Sequence, residues 1–433
     1  MCLLLVGGLM QVYSCGDSDK DKDPSVYDPS KPTKLLTFYP DSGKFQEQVL
    51  LTGENMPTDV SQVKVYFNQR QAAVIGSTGT RMYVQAPRLP GDTCTISVVI
   101  SGKDSLSYTA SFYYKTSIMV TTIAGNGVED PLVQGDLTVA QLPARYLCVD
   151  KDDNIFISTR GTSCDCNTNL CRIDEKNNEL VLIQSVVSNI PAADPATGVI
   201  SVATETTVGS FITMDPREFW APRFREFKWP DNVARPANGW KHCMVVNPDD
   251  SYIYTRFYYG QVMKINPINY EAEFVGMTPQ GDSYGLTFDP TQPGILYISM
   301  WNNGGGGTAH GICTMDVNAE DPASTFTLVS APIASGGHRD GKLENAQFRQ
   351  PAQIFCDADG NMYVADFGNH CIRRITPEKM VETVLGMPGT SGWKDGGKED
   401  ALFKNPRGIG IAQDGTVYIA DNGNSRVRKL SIN

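Results

Sequence analysis

Apolar and polar residues alternate along most of the chain in short runs, each closed by Gly, Asn, Asp or Pro. A period of two is the pattern of strands with one buried face, and Asn/Asp/Gly clusters between such strands are the chemistry of tight hairpin turns. The stretch from Asp340, DGKLENAQFRQPAQIFCDADGNMYVADFGNHCIRRI, shows the grammar most clearly. It predicts a strand at 354–356, a turn, a second strand at 362–365, a polar loop, and further strands at 372–375 and 381–385. The stretch from Asp395, DGGKEDALFKNPRGIGIAQDGTVYIADNGNSRVRKL, repeats it at a constant offset of 55 residues. Phe348 falls on Phe403, Pro351 on Pro406, Tyr363 on Tyr418 and Asp366 on Asp421.

Asp366, His370 and Cys371 crowd acid, imidazole and thiol into six positions, which suggests chemistry. In the second copy, however, His370 and Cys371 become Ser425 and Arg426, so the frame is specified for shape and the trio is not a site. Four antiparallel strands per unit make the blade of a β-propeller. The shared pattern Phe-x-x-Pro, Gly-x-x-Tyr-[VI]-Ala-Asp-x-Gly-Asn and [IV]-Arg resembles the NHL repeat. Weaker copies start at Leu142, His242 and Tyr284, giving five blades. Residues 184–239 are expected to form an irregular sixth blade, because a structureless loop of that length is unusual; five blades with one long loop is the alternative. The last copy stops after its third strand. SIMVTTIAG at 117–125 resembles KMVETVLG at 379–386, and is predicted to supply the missing fourth strand and close the ring.

Residues 32–116 read differently: alternating strands with frequent turn clusters, the pattern of an immunoglobulin-like β-sandwich. Tyr39-Pro-Asp-Ser-Gly43, Leu51-Thr-Gly-Glu-Asn55 and Val84-Gln-Ala-Pro87 resemble an IPT/TIG domain, which implies a spacer or a partner-binding module. The expected fold class is therefore all-β, an IPT/TIG sandwich at 32–116 followed by an NHL-type propeller at 117–433. Ahead of both, CLLLVGGLM is too short to span a bilayer but suits a signal-peptide core at 1–14. Val12-Tyr-Ser-Cys15 resembles a lipobox with Cys15 as the lipidated residue, although Val12 stands where leucine is usual. The charged, Pro/Ser-containing stretch 15–31 reads as a flexible tether. Its acidic run resembles the surface-export signal of lipoproteins from glycan-uptake loci in gut Gram-negative anaerobes, which implies a lipid anchor on the outer membrane at the cell surface.

Charge narrows the partners. With 37 Lys and Arg against 48 Asp and Glu, the net −11 argues against nucleic acid, whose binding needs a basic footprint. Of 11 cysteines, Cys148, Cys243, Cys313 and Cys356 sit on predicted strands as small buried hydrophobes. Cys164, Cys166 and Cys171 lie in or beside one loop without the second Cys/His pair that a metal site needs. A local disulfide involving Cys171, or free thiols, are the remaining readings.

In a propeller, the loops between second and third strands and the links between blades open on one face. By this rule all five tryptophans and all four histidines map to that face. Aromatic rings that offer an apolar face beside hydrogen-bonding edges suit a sugar ring. Trp301, in the glycine-rich MWNNGGGGTAHG, is the first candidate platform because its loop offers little apolar company to bury it. Asn302, Asn303, Tyr258, Tyr259, Trp240, Trp220, Trp229, Arg256 and His242 complete the ligand-binding candidates; Trp220 and Trp229 could instead cap loops over the core.

Some NHL-type propellers are lyases whose histidines converge on a metal from the heads of several inner strands. Here only His242 stands at such a position; Ala144, Tyr284, Ala352 and Arg407 stand near the others. Gly-x-Ser-x-Gly is absent, and nothing in the spacing of Asp215, Glu218 and Asp282 singles out a hydrolytic pair. The expectation is a binder without catalytic residues, metal or cofactor. The family resemblance implies an accessory nutrient-binding protein, its ligand a glycan, beside an outer-membrane importer. A propeller lyase or hydrolase is the alternative, and a protein–protein scaffold the third reading.

Overall fold

A computed structural model of the protein describes residues 27–88, 93–103, 105–115, 118–160 and 168–432. Cys15, the signal segment, most of the tether, Cys164 and Cys166 lie outside the described residues. The chain divides into two compact units between Ser117 and Ile118.

The first unit is one continuous eight-stranded sheet. Its strands alternate in burial, as in Val63–Phe67, where Val63, Val65 and Phe67 point inward. These side chains meet Val49, Leu51, Met82, Val84, Ile96, Val98 and Phe112 in a single core, so the sheet curls around its own inner face as a barrel-like sandwich. The Tyr108 hydroxyl donates to the Thr52 carbonyl at 3.1 Å while its ring meets Phe38 edge-on at 5.4 Å.

The second unit is a β-propeller of antiparallel sheets of four or five strands, two of which are joined into one of eight. Their inner strands are Ala144–Val149, Ser188–Ala193, Lys241–Val246, Gly285–Phe288, Pro351–Cys356 and Pro406–Ile411. Residues 188–226 form the second blade, so the irregular stretch is a blade and not a loop. One parallel bridge, Ile190 to Cys243, ties it to the third. Ile118–Ala124 pairs antiparallel with Arg426–Ile432, in register Leu430 to Val120, and supplies the outer strand of the last blade. That closure removes an open sheet edge.

Blades pack face to face, which is why whole strands such as Ile155–Thr159 are buried on both sides. The hairpin turns are set by aspartate: Asp150 Oδ1 accepts from the amides of Asp152 and Asn154, and Asp357 Oδ1 from those of Asp359 and Asn361. Cys148, Cys243, Cys313 and Cys356 are buried as expected. Cys171 corrects the disulfide reading: it is a free thiol in the first blade's core, opposite Ile157 across the ladder.

Candidate functional site

The heads of the inner strands bring Tyr146, His242, Tyr284 and Arg407 to the mouth of the propeller axis. Tyr146 and Tyr284 stack at 6.2 Å, and His242 lies against Tyr284 at 4.6 Å. Tyr284 meets Trp301 edge-on at 4.9 Å, and Trp301 meets Phe367 at 5.0 Å. The Arg407 guanidinium sits among these rings, 4.6 to 5.5 Å from the centroids of Tyr284, Trp301, Tyr146 and Phe367. Its Nε donates to the Tyr146 hydroxyl at 2.9 Å.

A carboxylate faces each nitrogen of His242. Nε2 is 2.9 Å from Asp282 Oδ1, and Nδ1 is 3.3 Å from Glu205 Oε1. Glu205 also accepts from the Asn189 amide at 2.8 Å, and Asp282 from that of Asn303 at 2.8 Å. Burial works against the Glu205 carboxylate, but the bonds from His242 and Asn189 and the nearby charge of His242 outweigh it and hold its pKa down to about 2. The same balance, with Asn303 in place of Asn189, holds Asp282 below the ordinary range. Two ionised acceptors therefore stand beside one imidazole and one aromatic wall. Among the described residues no cluster of three His, Cys, Asp or Glu is placed to hold a metal ion.

The predicted residues separate into groups. Trp240 is 46% exposed and meets Tyr258 edge-on at 5.6 Å, with Tyr259 a further 5.3 Å on. The Gly281 amide donates to the Tyr258 carbonyl at 2.8 Å, so this patch adjoins Asp282 and the mouth. Trp301 belongs to the mouth but is not a free platform. It is half-buried, its amide donates to the Asp282 carbonyl at 2.9 Å, and its loop is sealed by the Gly305 amide on the Gln280 carbonyl. Gly281, at φ +141°, allows the close approach: a Cβ there would lie 2.7 Å from the Asn303 carbonyl. Asn303 locks Asp282 from both ends, while Asn302 is exposed.

Three candidates are corrected by their surroundings. Trp229 is buried against Phe227 and Phe257 with its Nε1 donating to the Val233 carbonyl, so it caps the third blade. Trp220 is packed on Phe156 at 5.9 Å with the Arg172 guanidinium over it at 5.3 Å. Arg256 is fully buried, and its guanidinium is consumed by the Thr278 and Ser283 hydroxyls and the carbonyls of Pro279 and Gly281. It braces the loop that carries Asp282 and does not face a ligand. Arg407 and Glu205 are the residues that sequence reasoning passed over. The signal for Arg407 was present: the repeat places Ala352 and Arg407 in the same converging position, and only one of them is small.

Residues 34–114 match the IPT/TIG domain and residues 403–430 match the NHL repeat. A stretch of 98 residues is 34% identical to Protein SUPPRESSOR OF QUENCHING 1 of Arabidopsis thaliana, covering 22% of this chain and 9% of that protein. NHL repeat-containing protein 2 of Bos taurus is 31% identical over 115 residues, 26% of this chain and 15% of that protein. The chain thus spans well under a fifth of the curated relatives it matches. Solved structures overlap it more widely. A Bacteroides thetaiotaomicron protein of unknown function aligns over 94% of this chain and 100% of its own, with TM-score 0.78 and 21% identity. Auxiliary nutrient binding proteins of B. thetaiotaomicron and Bacteroides ovatus each align over 94% of this chain and 99% of their own, with TM-score 0.60 at 20% and 21% identity. At such identity the likeness shows the fold: an IPT/TIG domain followed by an NHL-repeat β-propeller, shared with auxiliary nutrient binding proteins of Bacteroides.

Proposed function

We propose that the protein binds a nutrient, a glycan, across the propeller mouth and the Trp240–Tyr258–Tyr259 patch, without converting it. One observation carries this reading: a run of aromatic rings with ionised acceptors and a guanidinium set between them. Sugar recognition needs such a mixture, since ring faces take up the apolar side of a pyranose and carboxylates accept its hydroxyl protons. The wide overlap with auxiliary nutrient binding proteins supports it. A glycan array probed with the purified protein tests the reading, and a complete lack of glycan binding overturns it. The flanking of His242 by Glu205 and Asp282 favours a second reading, proton-transfer catalysis as a lyase or hydrolase. Release of product from a bound glycan would establish that alternative.

We further propose a lipid anchor at Cys15 and a place on the outer-membrane surface beside an importer, supported by the apolar run that ends at Val12-Tyr-Ser-Cys15. Cys15→Ala should then abolish labelling by a fatty-acid analogue, and unchanged labelling would refute the anchor.

A further inference from the structure

Four arginines of the propeller differ in how their guanidinium groups are partnered. Arg373 is paired with Asp366 at 2.9 Å and Asp340 at 2.6 Å, and Arg428 with Asp421 at 2.8 Å and Asp395 at 2.6 Å. Arg256 has no carboxylate but spends its guanidinium on four oxygen acceptors. Arg407 differs. Among the described residues it has one hydrogen-bond partner, the Tyr146 hydroxyl, and no ion pair. Four rings surround it, and the guanidinium of Arg145 lies 5.4 Å from the centroid of the Tyr146 ring.

A half-buried guanidinium with no anion beside it has lost part of its hydration, and cation–π contacts offset only part of that cost. The folds of blades five and six show that this chain supplies carboxylates where it needs them for structure. At Arg407 it supplies none. The position is also not sealed, because the side chain remains half-buried at the mouth. A planar guanidinium with its Nη edge unused is matched by a carboxylate, which it can hold by two parallel hydrogen bonds. Beside the same Tyr284 ring, His242 holds Glu205 and Asp282, which offer acceptors for hydroxyl groups.

We infer that the glycan is acidic: a uronate-containing oligosaccharide whose carboxylate seats on Arg407 while its ring packs on the surrounding aromatics and its hydroxyls face Glu205 and Asp282. This rests on the glycan-binding reading and narrows it. Local pairing must overcome the net −11 of the chain, so a short-range contact and not long-range attraction sets the affinity.

The test is calorimetry of the full chain and of Arg407→Gln and Arg407→Lys with a panel of uronate oligosaccharides, each beside the same backbone with its carboxyl groups reduced to hydroxymethyl. The expected result is that at least one acidic oligosaccharide binds ten or more times tighter than its reduced counterpart. Arg407→Gln should remove that preference, and Arg407→Lys, which keeps charge but loses the two-bond geometry, should retain only part of it. If Arg407→Gln fails to fold, the wild-type preference and the lysine variant decide the matter. Equal or tighter binding of the reduced backbones overturns the acidic-ligand inference while leaving glycan binding in place. Preference for sulfated neutral sugars over uronates overturns it too. Absence of binding by any glycan, acidic or neutral, overturns the functional reading beneath it.

Discussion

Asp366 and Arg373 form an ion pair 2.9 Å long with both side chains wholly buried, and Asp421 and Arg428 repeat it at 2.8 Å one blade later. In each copy the aspartate also accepts a backbone amide at 2.8 Å, from Arg349 or Lys404, and the side-chain amide of Asn369 or Asn424. The arginine stacks over Phe348 or Phe403 and binds the carbonyls of the incoming link. The recurrence of this motif in the last two blades is therefore a matter of register. A side chain seven positions downstream satisfies the aspartate, and together they clamp the link that enters each of these two blades.

Asp366→Ala leaves the Arg373 charge buried beside a single remaining carboxylate, Asp340. Loss of one partner of a buried pair typically costs about 3–5 kcal/mol. Urea denaturation should show that loss, while a folded variant keeps wild-type ligand affinity because no residue of the clamp reaches the mouth. A folded Asp366→Ala protein that has lost its ligand would return the motif to the site.

His310 and His370 make the same blade-to-blade staple. Each stands at φ 60°, and each Nδ1 accepts a backbone amide from the next blade's entry, from Gln350 at 3.0 Å or Asn405 at 3.1 Å. Burial, then the Arg349 cation, hold both imidazoles below 6.5, with Lys404 adding to the effect at His370. The folded state thus binds the proton more weakly than the unfolded chain. The stability these groups contribute is fully present above pH 6.5 and is lost as pH falls through their lower folded values. Melting temperature should therefore drop as pH is lowered from about 7.5 to 5. The double variant His310→Asn, His370→Asn keeps an acceptor and tolerates the left-handed backbone, so its melting curve should depend less on pH. An unchanged slope would exclude the staples as its source; His338 and Lys241, both lowered by burial, act in the same direction, while Asp366 and Asp421, which burial raises to about 6, act in the opposite one.

Arg256 should behave as a positioning residue. Arg256→Met strands the carbonyls of Pro279 and Gly281 and frees the loop that carries Asp282. Hydrogen bonds to charged groups contribute about 1.5–3 kcal/mol each, so the loss of several should lower stability by about 3 kcal/mol or more. Ligand affinity should fall with it, since Asp282 is no longer held against His242. Unaltered affinity would show that the loop places Asp282 without the brace.

The repeat frame was legible in the sequence because its determinants are local: aspartate turns, a proline at the inner strand, and an Asp–Arg pair at fixed spacing. The outer strand Ile118–Ala124 was legible for the same reason, through its likeness to the fourth strand of the preceding copy. Blade two lacks the Asp–Arg clamp, and only its length argued for a blade. The site was harder to read because its contacts are non-local. Trp301 reads as exposed among glycines, yet Phe367 and Arg407, from the next two blades, enclose it. Trp229 is covered by Phe257, which its own loop does not announce. Side chains that meet only after the ring closes leave no periodic trace.

That distinction separates two tryptophans that sequence alone treats alike. Trp240 is exposed and supported chiefly by Tyr258, so Trp240→Ala should leave the melting temperature near wild type, as surface changes do. If the patch holds sugar, truncating this ring removes an interface anchor, which typically costs 2 kcal/mol or more, about a thirtyfold loss of affinity. Trp301→Ala should weaken binding as well, but it also opens a gap between Tyr284, Phe367 and Arg407 and should lower stability by about 2 kcal/mol or more. Calorimetry and thermal melting on the two variants distinguish the roles. Wild-type affinity in Trp240→Ala would confine the ligand to the mouth, and an undiminished melting temperature in Trp301→Ala would mean that the ring packs less tightly than its neighbours imply.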